Sequence, residues 1–423
     1  MYKKKQLKNG LRMVVSPMAE MSSVTLGVWI GIGGRYEKAN LSGMSHLVEH
    51  MLFKGTYSRS ATDLKRAIEG IGGAFNGFTS DEVTCYMVKV PSKHLELGMD
   101  ILTDMVFNAK FDEGELAKER FVICEEIKMY RDQPAEYVMD LLARTMWPDN
   151  PLGRPLTGSA ATVKSFKRAE MLAFKEKSYQ PGNISVIAAG KVAPDKVFRY
   201  MSEKFADRKK KKNLEFKTPS VRQRSSRTKF FNSPTKQAHI ALGFPAVTKN
   251  MSDRFALKLM NVILGGNMSS RLFEELREKY GLCYDIASSY KRHSDIGELV
   301  IHSGVDSGKA SKSIIAVLDE LKKLRDMGVT REELDRGREY AKGQFLLAME
   351  GTATRMLWLG DRLMVHHRIP EVKEILKRLD EVKTSDVKRV CEKIFRPSLA
   401  SLAVIGNLNG KERNKIKKEL DKL

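Results

Sequence analysis

An internal repeat constrains this chain more than any other feature. Residues 176–190 (EKSYQPGNISVIAAG) align without gaps on residues 392–406 (EKIFRPSLASLAVIG), 216 positions later and about half the 423-residue length. Each copy has the same grammar. A helix runs out at an aromatic residue, Tyr179 or Phe395, and a proline stops it. An apolar strand follows and ends in glycine. An amphipathic helix comes next, at 194–205 in one copy and 411–423 in the other. A chain that repeats a β–turn–α unit at half its length reads as a duplicated domain. The division it suggests is residues 1–207, a basic linker at 208–220, and residues 221–423.

Each half mixes strands and long helices. The first predicts strands near 6–16, 24–34, 73–79, 83–90 and 183–189, with helices near 43–53, 61–71, 92–108 and 113–147. The second predicts a strand at 237–244, helices at 253–264 and 270–279, strands at 284–290 and 298–305, and helices at 308–327 and 331–364. Strands joined through turns and helices in this order suit an α+β fold, with two homologous domains that are each a largely antiparallel sheet packed with helices. A composition of 42% hydrophobic and 30% charged residues excludes wholesale disorder. No apolar run is long enough to span a membrane. Residues 1–6 carry lysines with no apolar segment behind them, so no leader peptide is expected. Cys85, Cys124, Cys283 and Cys391 lie far apart without a C-x-x-C pair, which suits a reducing, cytoplasmic setting. The net charge of +22 raises nucleic acid or anionic surfaces as partners. No nucleic-acid-binding module or interleaving of aromatic and basic residues supports that, and no such partner is expected.

The chemistry concentrates in an H-x-x-E-H motif, His46, Glu49 and His50. On a helix turning about 100° per residue, these three side chains fall within an arc of about 100°. Two imidazoles at i and i+4 can share one metal ion, and Glu49 beside them can reach a water on it. A catalytic zinc takes three protein ligands and keeps one open position, so a further ligand must come from another helix. The segment from Glu119 to Glu126, which includes Glu125, lies on the helix expected to start near residue 112.

These residues resemble the pitrilysin/insulinase family of zinc peptidases. The resemblance is to the half-length branch that includes the catalytic (beta) subunit of mitochondrial processing peptidase and its bacterial relatives. The family pairs its motif with a glutamate 76 residues beyond the second histidine, here Glu126, with Glu125 as the nearest rival. It also has a supporting acidic residue, matched by Glu119. The stretch Ala74, Phe75, Asn76, Gly77, Phe78 and Thr79 resembles the family's edge strand, on which a peptide substrate lies by strand addition. Gly77 departs from the family's alanine. In the second half, Arg277 and Tyr284 match a family pair that reaches the active site, where tyrosine can donate to a developing oxyanion. The segment from Leu264 to Asn267 lacks the long glycine-rich loop of the non-catalytic processing-peptidase subunit.

The resemblance implies a metalloendopeptidase with one Zn²⁺ per chain. It would cleave peptides or unfolded, presequence-like segments inside a closed chamber, with Glu49 as general base. It also implies a homodimer, or a heterodimer with a related chain. The alternative is a non-catalytic assembly subunit on the same fold. His94, His239, His293, His302, His366 and His367 show no metal-ligand spacing and are expected to be ordinary surface or core residues.

Overall fold

The computed structural model describes residues 2–208, 214–221, 223–246, 253–366 and 368–423. The chain forms two compact units. One comprises 1–128, 154–217 and 346–369, the other 129–153, 218–345 and 370–423. Neither is a contiguous half, so the units do not follow the division at 208–220 suggested by the repeat.

The first unit is built on a six-stranded sheet. Its strands are β1 (Lys3–Gln6), β2 (Arg12–Pro17), β3 (Ser23–Ile30), β4 (Ala74–Thr79), β5 (Thr84–Pro91) and β6 (Ile184–Gly190), in the order β1-β2-β6-β3-β5-β4. The second sheet contains β7 (Arg227–Phe231), β8 (Gln237–Ala246), β9 (Cys283–Arg292), β10 (Gly297–Asp306) and β11 (Ser401–Ile405), in the order β7-β11-β8-β10-β9. If β1 is set aside, the two orders are the same permutation. In each sheet one pair is parallel, β2 with β6 and β7 with β11, and the other pairs are antiparallel. The repeat seen in the sequence falls on matching elements. The helix Arg168–Ser178 caps at Tyr179 before β6, and the helix Thr384–Ile394 caps at Phe395 before β11.

Packing explains why the units are discontinuous. β6 is buried along its whole length and β3 nearly so. Their alternate residues go to opposite faces. Leu26, Val28, Ile30, Val186 and Ala188 enter the main core of the first unit. Val14, Trp29, Ile187 and Ala189 enter a second cluster on the far face. A sheet that is apolar on both faces needs a cover on each. The far face is covered by the helix Thr352–His366, through Met356, Leu359 and Leu363 at i, i+3 and i+7. The second sheet is served reciprocally. Val138, Leu141, Leu142 and Met146 of the helix Pro134–Met146 pack on Ala241, Val300, Ala403 and Ile405. Each half of the chain therefore supplies the helix that closes the other half's sheet.

Several boundaries differ from the sequence reading. The strand expected at 6–16 is the hairpin β1–β2, turning through Gly10 at φ 95°. The helix expected at 113–147 is two, Glu113–Asp132 and Pro134–Met146, because Pro134 cannot continue a helix and sits instead in the first turn of the next. The helix expected at 331–364 breaks between Ala348 and Thr352, next to Gly351. Strand β7 and the helix Val372–Asp380 were not anticipated. Within the expected linker, residues 209–213 lie outside the described residues. Phe216 stacks edge-on to Tyr36 at 5.2 Å and under the Arg35 guanidinium at 3.9 Å, so this part is bound to the first unit. Among the described residues no helix is long and apolar enough to cross a membrane.

Gly360 tests the covering helix. A Cβ there would lie 2.2 Å from the Trp29 ring, which is buried and held by its Nε1–H donating to the Met356 sulfur at 3.4 Å. Alanine is normally the better helix former by about 1 kcal/mol. Overpacking should win here, so Gly360→Ala should lower the unfolding free energy by about 1–3 kcal/mol in denaturant melts. An unchanged or raised midpoint would mean that the helix is not seated on Trp29 as described.

Candidate metal centre

The motif lies on the nine-residue helix Met44–Leu52, whose Met44, Leu47, Val48, Met51 and Leu52 are sunk in the core of the first unit. The helix starts from Gly43 at φ 96°, a left-handed conformation natural to glycine. Its first N–H groups are met by a carboxylate from outside the helix. Glu37 accepts from the Gly43 N–H at 2.8 Å and from the Ser45 N–H at 2.6 Å. That satisfies donors that a buried helix end would otherwise leave bare.

His46 and His50 stack one turn apart, with ring centroids 4.5 Å apart. Glu126 comes from the Glu113–Asp132 helix. Its Oε2 stands 3.8 Å from His46 Nε2 and 3.9 Å from His50 Nε2. Among the described residues these three form the only group of histidine, cysteine or acidic side chains with ligand atoms within 4.8 Å of one another. Glu125, one residue earlier, turns away and pairs with Lys128 at 2.6 Å. Glu119, two helical turns before Glu126, meets His50 from the other side. His50 Nδ1 and Glu119 Oε2 are 2.9 Å apart, which leaves Nε2 for a metal. The second oxygen of Glu119 receives the Lys54 ammonium at 2.6 Å.

Glu49 is buried on the same helix as the two histidines, and its Oε2 accepts from the Thr79 hydroxyl at 3.1 Å. The pleat of β4 sorts the six expected substrate-strand residues into two sets. Gly77 and Thr79 face the motif helix, as does Phe75, which lies 5.4 Å from the Phe53 ring. On the opposite face, Phe78 packs on Trp29. Ala74 and Asn76 share that face by alternation and are exposed. A Cβ at position 77 would come within 2.9 Å of both Glu49 Oε1 and the Phe53 ring, so the glycine makes room for the Glu49 carboxylate. Among the described residues β4 ends its sheet, with no strand paired on its outer edge.

The electrostatics follow from burial and neighbours. Burial, aided by the charge of His50, pushes His46 down to about 3, so its imidazole is neutral at neutral pH with a lone pair to give. The His46 Nδ1 is buried without a hydrogen-bond partner. Burial acts downward on His50 too, but the hydrogen bond to Glu119 and the charges of Glu49, Glu119 and Glu126 outweigh it and raise its value. Burial also raises Glu49. For Glu119 burial acts upward, yet the bonds from His50 and Lys54 prevail and hold it below the usual carboxylate range. Two neutralisable imidazoles and a carboxylate, with a second carboxylate alongside, fit the donor set of a catalytic zinc.

Arg277 and Tyr284 lie in the second unit. The helix expected at 270–279 winds as a π-helix over Phe273–Lys279, a rare geometry that recurs at functional sites. The Arg277 guanidinium lies 4.6 Å from the Phe273 ring centroid and 5.0 Å from that of Tyr284. Tyr284 is 78% exposed. The helix Arg254–Gly265, which follows β8 as the motif helix follows β3, carries no histidine or carboxylate. Lys54 and Glu37 were not singled out in the sequence. The i+4 spacing of Lys54 from His50 was its one available signal; Glu37 had none.

Fold and site together define a duplicated α+β scaffold with two imidazoles and one carboxylate placed to hold a metal in its first unit. Comparison with known proteins places it further. The pattern of the insulinase family (Peptidase family M16) matches residues 12–160, and that of the Peptidase M16 inactive domain matches residues 165–340. The chain belongs to this family. A relative from Bacillus subtilis (strain 168), named uncharacterized zinc protease YmxG, is 33% identical over 416 residues, covering 96% of this chain and 100% of the relative. One from Streptomyces coelicolor, named uncharacterized zinc protease SCO5738, is 34% identical over 423 residues, covering 97% and 90%. In fold, the chain is similar to a protease from Helicobacter pylori, with a TM-score of 0.89, 23% identity, and 96% of this chain and 99% of the other aligned. It is also similar to a peptidase M16 inactive domain from Pseudomonas fluorescens, with a TM-score of 0.90 at 18% identity, covering 96% and 98%.

The cap of the motif helix makes a pH prediction. Burial outweighs the two backbone donors and raises Glu37 from 4.5 to about 7. A carboxyl raised on folding contributes stability that is complete below its unfolded value and lost as pH rises through its folded value. Unfolding free energy should therefore fall by on the order of 2–3 kcal/mol between pH 5 and pH 8 on this account. Glu37→Gln should flatten that fall. Equal slopes in wild type and variant would sink the assignment.

Proposed function

We propose that the chain is a zinc-dependent endopeptidase that hydrolyses peptides or unfolded segments. The convergence of His46, His50 and Glu126, with Glu49 alongside, carries this reading. The family and the names of the relatives support it. One Zn²⁺, held by the Nε2 atoms of the two histidines and a Glu126 oxygen, would supply Lewis acidity toward a water and a peptide carbonyl. Glu49 takes a proton from the attacking water and later passes one to the leaving amine. Thr79 steadies Glu49 on the side of β4. The unpaired edge of β4 takes the substrate as an added strand, through backbone hydrogen bonds that demand little sequence. Glu119 orients His50. The description "inactive" covers residues 165–340, a span that holds none of these side chains, so the alternative of a non-catalytic assembly subunit gains nothing from it. The widely spaced cysteines support a reducing, cytoplasmic setting.

Base and ligands separate by metal content. Glu49→Gln should reduce peptide hydrolysis at least a thousandfold while keeping zinc near one per chain. Glu126→Gln should weaken zinc retention and Glu125→Gln should not. A Glu49→Gln chain that keeps wild-type turnover, or that loses metal as fully as His50→Ala, would show that Glu49 has another role.

The exposure of Tyr284, with Arg277 stacked on it, supports a composite site in a homodimer. Arg277 and Tyr284 of a second copy would complete the centre, tyrosine donating to the oxyanion and arginine holding the substrate backbone. Two chains would then enclose a chamber that excludes folded proteins. Mixing Glu49→Gln chains with Tyr284→Phe chains, each nearly inactive alone, leaves one intact composite site per mixed dimer. Peptidase activity should return toward half the wild-type value per mixed dimer. Mixed dimers that form without regaining activity would refute sharing.

A further inference from the structure

We propose that Lys54 is a positioning residue for the metal centre, acting through Glu119 on His50; the inference rests on the zinc reading above. Lys54 stands four residues after His50, just beyond the end of the motif helix, so its side chain leaves on the His50 side. Its backbone is fixed before and after. The Lys54 N–H donates to the Met51 carbonyl at 3.2 Å. Beyond it the chain turns at Gly55, φ 106°, whose carbonyl accepts from the Lys110 N–H at 3.1 Å. Thr56 then forms a β-bridge with Ala109. The ammonium is thus delivered from a rigid corner.

It is delivered to a carboxylate with little else to hold it. The Glu119 side chain is 4% exposed, and its two oxygens are divided between two donors, Oε2 with His50 Nδ1 at 2.9 Å and Oε1 with Lys54 Nζ at 2.6 Å. A buried carboxylate oxygen stripped of its donor is costly and reorients toward whatever positive group remains. Here what remains is the His50 Nδ1–H and, beyond it, the charge of a bound metal. Lys54 therefore keeps Glu119 as the partner of His50 Nδ1 and prevents it from becoming a rival ligand. The Lys54 side chain itself is 31% exposed, so its stem can be changed without opening a core cavity.

The test is zinc affinity, measured by chelator competition on the full chain, together with the NMR signal of the His50 Nδ1–H in the zinc-loaded protein. Partners that orient a metal-bound histidine are worth about 10–100-fold in metal affinity, and Lys54 acts one bond further out. Lys54→Met should weaken zinc binding about threefold to tenfold and speed solvent exchange of the Nδ1–H. Lys54→Arg, which keeps a charged donor, should restore both to within twofold. Should Lys54→Met fail to fold, Lys54→Gln, a neutral donor, should show the same change at smaller size. Zinc affinity within twofold of wild type and an unmoved Nδ1–H signal would overturn the proposal, whatever happens to the melting temperature. His50→Ala serves as the control. If it retains zinc, the ligand assignment fails; if it loses zinc while the Lys54 variants behave as wild type, only the role of Lys54 fails.

Discussion

The structure turns on the burial of one short helix that carries polar chemistry. Five of the nine residues of Met44–Leu52 are hydrophobic and packed in the core, and they draw His46, Glu49 and His50 in with them. Each buried polar group then needs a partner from another element. Glu37 meets the helix start, Thr79 meets Glu49, and Glu119 with Lys54 behind it meets His50. Gly77 withholds a side chain where Glu49 needs space. The position of the Glu113–Asp132 helix and the register of β4 can be understood as answers to that demand.

The second unit shows the same scaffold without the demand. Its sheet repeats the strand permutation, but the Arg254–Gly265 helix carries Leu257, Leu259, Met260 and Leu264 and no titratable group other than its basic residues near the start. Duplication has kept the packing, while among the described residues a group fit to hold a metal occurs in one copy. What distinguishes the second copy is the π-helical turn bearing Arg277 and the exposed ring of Tyr284.

Much of this architecture is legible in the sequence. The repeat at 176–190 and 392–406 encodes the duplication because helix stop, strand and closing glycine are local signals, and the structure places both copies on matching elements. The three motif residues were legible because helical periodicity alone puts them on one face. Choosing Glu126 over Glu125 required family resemblance, since a helix pattern cannot say which of two adjacent carboxylates points inward; the geometry then sends Glu125 to Lys128. Interactions between residues distant in sequence stayed hidden. The apolar stripe of Met356, Leu359 and Leu363 announces a buried face but not that Trp29 lies beneath it. Likewise nothing local in Glu37 reveals that it caps a helix six residues on.

The exchanged helices carry a consequence for the order in which the protein is made. Every side chain of the candidate metal group has left the ribosome once Glu126 is out, yet the sheet that supports it has one greasy face open until Thr352–His366 appears. At ordinary synthesis rates of about 5–20 residues per second, that interval is roughly ten to forty-five seconds. A nascent chain in that window holds the side chains of the metal-fitting group on an unfinished support. Because the last piece of the first unit is encoded far downstream, completion of that unit is timed to near-completion of the polypeptide, a delay written into topology.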